Sequence, residues 1–105
     1  MKAPTPNGKV IYSIPKMGVY DGEVRHGLAW GVGEFTGEDG TWYKGEWQED
    51  LPHGQGEMRL PDGTRYKGSF AAGFPHGHGE KHWPSGNLYQ GLFQKGLFHG
   101  RVGEL

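Results

Sequence analysis

The chain has 105 residues, no cysteine, and 11 basic against 12 acidic side chains, for a net charge of −1 and a pI near 6.6. That length allows about one small domain. The near-balanced charge gives no global pull toward nucleic acid or anionic lipid, and the lack of cysteine excludes disulfides, thiolate metal sites and cysteine nucleophiles while fitting a reducing compartment.

Apolar runs such as Val10-Ile11-Tyr12 stop at three residues. That is too short for a membrane span or the apolar region of a secretory signal, so the sequence reads as soluble, untargeted and cytoplasmic. Its 21 glycines stand beside 4 Trp, 5 Tyr and 5 Phe, an aromatic content that argues against a Gly-rich disordered linker.

In chain order, residues 1–6 read as a tail and 7–19 as a degenerate half-repeat, in which Gly8 and Pro15 already fall in frame. From Tyr20 onward a period of 23 residues is explicit. It aligns Tyr20, Tyr43, Tyr66 and Tyr89, each followed two residues on by glycine, and it aligns Gly31, Gly54, Gly77 and Gly100. Gly33, Gly56 and Gly79 keep the same frame, as do Gly40, Gly63 and Gly86. The full repeats are 20–42, 43–65 and 66–88, and 89–105 is a partial C-terminal repeat whose "HGRVGEL" carries one inserted residue, read as a closing bulge.

Glycine at this density costs about 1 kcal/mol apiece in a helix interior, so each unit is expected to be a β-hairpin with strands of about five to six residues. Asp39-Gly40, Asp62-Gly63 and Ser85-Gly86 supply the positive φ of tight turns joining one unit to the next. Within units, "QEDLPHG" and "AAGFPHG" are expected to form longer loops around Pro52 and Pro75, with left-handed backbone at Gly73 or Gly96.

Strand periodicity then sorts the side chains. Tyr43, Gly45 and Trp47 share one face, as do Tyr66, Gly68 and Phe70, and Tyr89, Gly91 and Phe93; Lys44, Glu46, Glu57 and Arg59 take the other. Glycine on the aromatic face lets a neighbouring ring lie flat on bare backbone.

The unit "YKGEWQEDLPHGQGEMRLPDGTR" resembles the MORN (membrane occupation and recognition nexus) repeat along its whole length, and the resemblance covers residues 20–105 clearly and 7–19 weakly. It implies an all-β, elongated antiparallel meander of successive hairpins, a single curved sheet shaped like an open half-pipe. Nine strands at about 4.8 Å spacing would make it about 40 Å long. It also implies scaffolding, tethering and partner capture, as in similar repeats of junctophilins, plant phosphatidylinositol phosphate kinases and ciliary radial-spoke proteins. Enzymes that contain such repeats usually hold their catalysis in another domain.

The aromatic face is the strongest binding candidate: Tyr43, Trp47, Met58, Tyr66, Phe70, Trp83, Tyr89 and Phe93. The alternative is that these rings simply pack on one another. One layer without a second sheet should nevertheless leave an apolar strip able to hold a partner helix or peptide.

His76, His78, Glu80 and His82 alternate along one strand and could offer zinc two ligands, but His53, His76 and His99 recur at the period and read more simply as loop elements. Lys44, Arg59, Arg65 and Lys67 could meet lipid phosphates, although interleaved Glu46, Glu57 and Glu80 favour cross-strand ion pairing instead. Sheet edges near Val10–Ser13 and Arg101–Leu105 offer homotypic assembly or entry into a larger complex.

No catalytic residue, cofactor or metal site is expected, and no nucleic-acid partner. The reading is a non-enzymatic adaptor capturing a protein through its aromatic groove, in a cytoskeletal or ciliary assembly by analogy with the resembled family. The second reading is a peripheral membrane tether for anionic phospholipid.

Overall fold

In a computed structural model, which describes residues 3–95 together with 97 and 98, the chain forms one antiparallel sheet. The strands are β1 (Gly8–Ile14), β2 (Gly18–Arg25), β3 (Leu28–Gly37), β4 (Trp42–Gln48), β5 (Leu51–Arg59), β6 (Arg65–Ala71), β7 (Phe74–His82), β8 (Leu88–Gln94) and the short β9 (Leu97–Phe98). Their order in space is their order in sequence, β1 to β9, and the sheet stays open because β1 pairs only with β2. The molecule measures 45 × 23 × 15 Å, an elongated meander as expected.

Two expectations about the connections are corrected. The hairpins inside the units turn in two residues rather than in long loops: Glu49 and Asp50 have φ of 49° and 70°, Ala72 and Gly73 of 50° and 89°, and His26 and Gly27 of 53° and 75°. Positive φ at both central residues is the primed turn whose twist matches flanking strands.

Pro52 and Pro75 therefore lie within strands, and β1 to β8 run seven to ten residues instead of five to six. The interruption that proline signals is real, but it takes the form of a bulge. Pairing of β4 with β5 jumps from Gly45↔Gly56 to Trp47↔Pro52, and that of β6 with β7 from Gly68↔Gly79 to Phe70↔Pro75.

The links between units are loops of four or five residues rather than two-residue turns. Gly40, Gly63 and Gly86 do carry positive φ, while the residue before each does not. Asp39 and Asp62 instead accept the amides of Thr41 and Thr64, each at 2.8 Å, and Ser85 accepts that of Asn87 at 3.4 Å. Such side-chain turns bind the backbone two residues ahead and so widen the loop. The bulge expected from "HGRVGEL" and left-handed geometry at Gly96 both fall outside the described residues.

Burial alternates along the strands. In β2, Gly18, Tyr20, Gly22 and Val24 are buried while Val19 and Asp21 are exposed. The core is one face of a single layer: Tyr20, Tyr43, Trp47, Tyr66, Phe70, Tyr89 and Phe93, extended by Ile14, Val24 and Ala29.

Candidate functional site

Four tyrosines organise the aromatic face. Each hydroxyl donates to the carbonyl three residues ahead in its own strand: Tyr20 to Glu23 and Tyr43 to Glu46 at 2.7 Å, Tyr66 to Ser69 at 2.8 Å, and Tyr89 to Leu92 at 2.9 Å. Glu23, Glu46 and Ser69 are the residues at which pairing to the next strand is interrupted, so the phenol supplies a donor where the ladder is broken.

The hydrogen bond lays each ring along its strand and over glycine. A Cβ on Gly33 would stand 2.6 Å from Cζ of Tyr20, one on Gly56 2.6 Å from Cζ of Tyr43, and one on Gly79 2.5 Å from Cζ of Tyr66. Only glycine fits there.

Between the tyrosines stand the ring residues four positions along each repeat. Trp47 meets Tyr20 and Tyr43 edge-on at 5.3 and 5.0 Å, Phe70 meets Tyr43 and Tyr66 at 5.0 Å each, and Phe93 meets Tyr66 and Tyr89 at 4.9 and 5.1 Å. These T-shaped contacts form one unbroken chain of rings, each worth about 0.5–1.5 kcal/mol beyond area burial. Rings roofing one another explain how a sheet with no second layer leaves Tyr20 with no exposed surface and Tyr43 with 1%.

Burial pushes the phenols of Tyr20 and Tyr43 well above the usual range and that of Tyr66 up to about 12. Trp47 also donates its indole N–H to the Gly33 carbonyl at 3.0 Å.

Of the eight residues read as a partner groove, all lie on this face, but six are buried: Tyr43, Trp47, Tyr66, Phe70, Tyr89 and Phe93. Met58 and Trp83 are half-buried against them. A cleft of about 240 Å³ stays open between the second and third repeats, lined by Met58, Leu60, Tyr66, Phe74, Lys81 and Phe93 among others.

Phe74 is 56% exposed and Leu60 39%. The strand register explains the cleft. Phe35, Met58 and Lys81 are equivalent positions in successive repeats, each opposite two tyrosines, so the bulky ring of the first unit has no counterpart in the next two. Phe74 and Phe35 were not singled out from the sequence, and Leu60, which alternation places on the same side as Met58, was not among the eight groove residues. The signal was present, since Leu28, Leu51 and Phe74 recur at the period, each beginning a strand.

On the other face, oppositely charged residues alternate across strands as Glu34↔Lys44↔Glu57↔Lys67↔Glu80. The expected Lys–Glu ion pairs do not close to within 4.0 Å among the described residues, where the pair formed is His82 Nε2 to Glu80 Oε1 at 3.4 Å. Several carboxylates have other work. Glu34 accepts the Trp42 indole N–H at 2.6 Å, and Glu23 and Glu46 accept the amides of Val32 and Gln55 at 2.7 Å across the bulges.

The periodic histidine His53 lies in a strand rather than a loop, its Nδ1 3.5 Å from the Ala72 amide that it accepts. No group of three or more His, Asp or Glu side chains among the described residues could hold a metal ion.

An open meander of in-register hairpins, with a self-roofed aromatic face and an apolar cleft, defines a repeat protein. The family model described as MORN repeat matches residues 20–42, 43–65, 66–88 and 89–101, and the chain belongs to that family. A comparison with curated proteins finds no match.

Proposed function

We propose that the chain is a non-enzymatic adaptor that captures a protein partner on its aromatic face, by seating an apolar side chain from a helix or peptide in the cleft beside Phe74. The observation that carries this reading is the contrast within one face: the rings are sealed by one another, whereas Phe74, Leu60 and Met58 rim an open apolar space.

A volume of about 240 Å³ falls below the range of about 300–1,000 Å³ usual for small-molecule pockets and suits one or two anchor side chains of a protein interface. The lining residues include no carboxylate and no histidine, which favours capture over chemistry. A cytoskeletal or ciliary assembly is the context suggested by the family, on analogy alone.

The test is photocrosslinking from position 74, with position 92 on the opposite face as the reference. A protein adduct from position 74 and none from position 92 is the expected result. Adducts only from position 92 would move the binding face to the other side of the sheet.

A further inference from the structure

On the face opposite the aromatic rings, we propose that Arg59 and Arg65 form a docking point for a carboxylate carried by a protein partner. Arg59 on β5 and Arg65 on β6 are direct cross-strand partners. Side chains so placed stand about 5 Å apart at Cβ, where like charges destabilise a sheet.

The neighbouring row avoids that cost by alternating sign from Glu34 to Glu80. The row through the arginines does not, running Thr36↔Trp42↔Arg59↔Arg65↔His82. The equivalent pair in the first unit is Thr36 with Trp42 and in the third His82 with Leu88, so among the described residues two arginines are cross-strand partners only at the middle of the array.

Neither guanidinium makes an ion pair or hydrogen bond among the described residues. Arg59 lies over the Trp42 ring at 4.9 Å, which holds its fork in place. Of the nearby carboxylates, Glu34 accepts the Trp42 indole N–H and Glu80 pairs with His82, while Glu57 borders the space without closing to an ion pair with either arginine among the described residues. A space of about 90 Å³ lies at the pair, bordered also by Lys67, Glu57 and Glu80.

Each guanidinium carries parallel N–H donors matched to the two oxygens of a carboxylate, and both arginines border the same space. A space this small admits such a group and little more. Anionic membranes, by contrast, are held by about four to eight clustered basic residues, and here Glu57 and Glu80 interrupt any such cluster. A single acidic side chain is the ligand that the pattern selects.

The test uses the full chain at low salt, titrated with hexaglutamate and, as the neutral reference, hexaglutamine. Hexaglutamate is expected to bind the unaltered protein, to bind Arg59→Gln and Arg65→Gln about tenfold more weakly, and to bind Lys9→Gln as before. Removing the like-charge contact should leave the melting temperature of Arg65→Gln equal or higher.

Equal binding by the arginine variants would overturn the proposal. So would a lowered melting temperature or failure of Arg65→Gln to fold, because the arginine would then be serving the fold. Binding to phosphatidylserine vesicles without binding to hexaglutamate would overturn it in favour of a membrane surface.

Discussion

The hydroxyl of Tyr43 donates to the carbonyl of Glu46, 2.7 Å away, and thereby holds the phenol ring against the bare backbone of Gly56 on the neighbouring strand. One contact thus closes a bulge, fixes a ring and explains a glycine. The same arrangement recurs for Tyr20 with Gly33 and for Tyr66 with Gly79.

Gly56→Ala should therefore destabilise the protein by at least about 1–3 kcal/mol. The added methyl would meet the Tyr43 ring, which cannot retreat because Trp47 and Phe70 each stand 5.0 Å from it. Glu57→Ala, one residue along and on the exposed face, should change stability by no more than about 0.5 kcal/mol. Urea denaturation of the two variants makes the comparison.

Phenol hydroxyls on this face should differ in worth. Tyr43→Phe leaves the Glu46 carbonyl without its donor and should cost about 1–2 kcal/mol. The buried Tyr12 hydroxyl has no hydrogen-bond partner among the described residues, so Tyr12→Phe should be neutral or stabilising. A matching loss at both positions would show that the hydrogen bond is not what Tyr43 contributes.

The bulges predict a stabilising change in the third unit. Glu23 and Glu46 each place a carboxylate over a glycine and accept the amide of the residue after it, but the equivalent residue is Ser69. Ser69→Glu should raise stability by about 0.5–1.5 kcal/mol through a new bond from the His78 amide, and Glu46→Ser should lower it by a similar amount. An unchanged or lowered melting temperature for Ser69→Glu would contradict the role assigned to the carboxylates.

Alkaline pH should loosen the fold. Burial raises the folded-state pKa of Tyr20, Tyr43 and Tyr66, the last to about 12, above the unfolded value near 10. The stabilisation these neutral phenols provide is complete below pH 10 and is lost as pH rises through the folded values, since only the unfolded chain releases its protons in that window. Denaturation midpoints should fall from pH 10 upward, with phenolate absorbance of the buried tyrosines appearing together with unfolding. Early, independent ionisation of all five tyrosines would contradict that burial.

Much of this was legible in the sequence, because a fixed period exposes which positions share a role. Tyr43, Gly45 and Trp47 could be placed on one face from alternation alone, and the ring-over-glycine contact follows from the residue sizes. The turns were harder. Glu49-Asp50 and Ala72-Gly73 share no composition that marks a two-residue turn, whereas Asp39-Gly40 looks like one until its side chain claims the Thr41 amide.

The cleft was harder still. It arises from what is missing at Met58 and Lys81 relative to Phe35, a difference that matters only once the strands are in register. Likewise Trp47 looked like a surface anchor, yet it is 7% exposed and bonded to Gly33, so its truncation reports on folding.

The central claim is that the exposed rim of the proposed docking cleft, Phe74 above all, is not what holds the framework together, and the pair Trp47→Ala and Phe74→Asp tests it most directly, by melting temperature together with affinity for the crosslinked partner. Trp47→Ala should lower stability by about 3–5 kcal/mol, while Phe74→Asp should melt within a few degrees of the unaltered protein and lose binding. A Phe74→Asp protein that keeps full affinity, or that unfolds as readily as Trp47→Ala, would contradict the account.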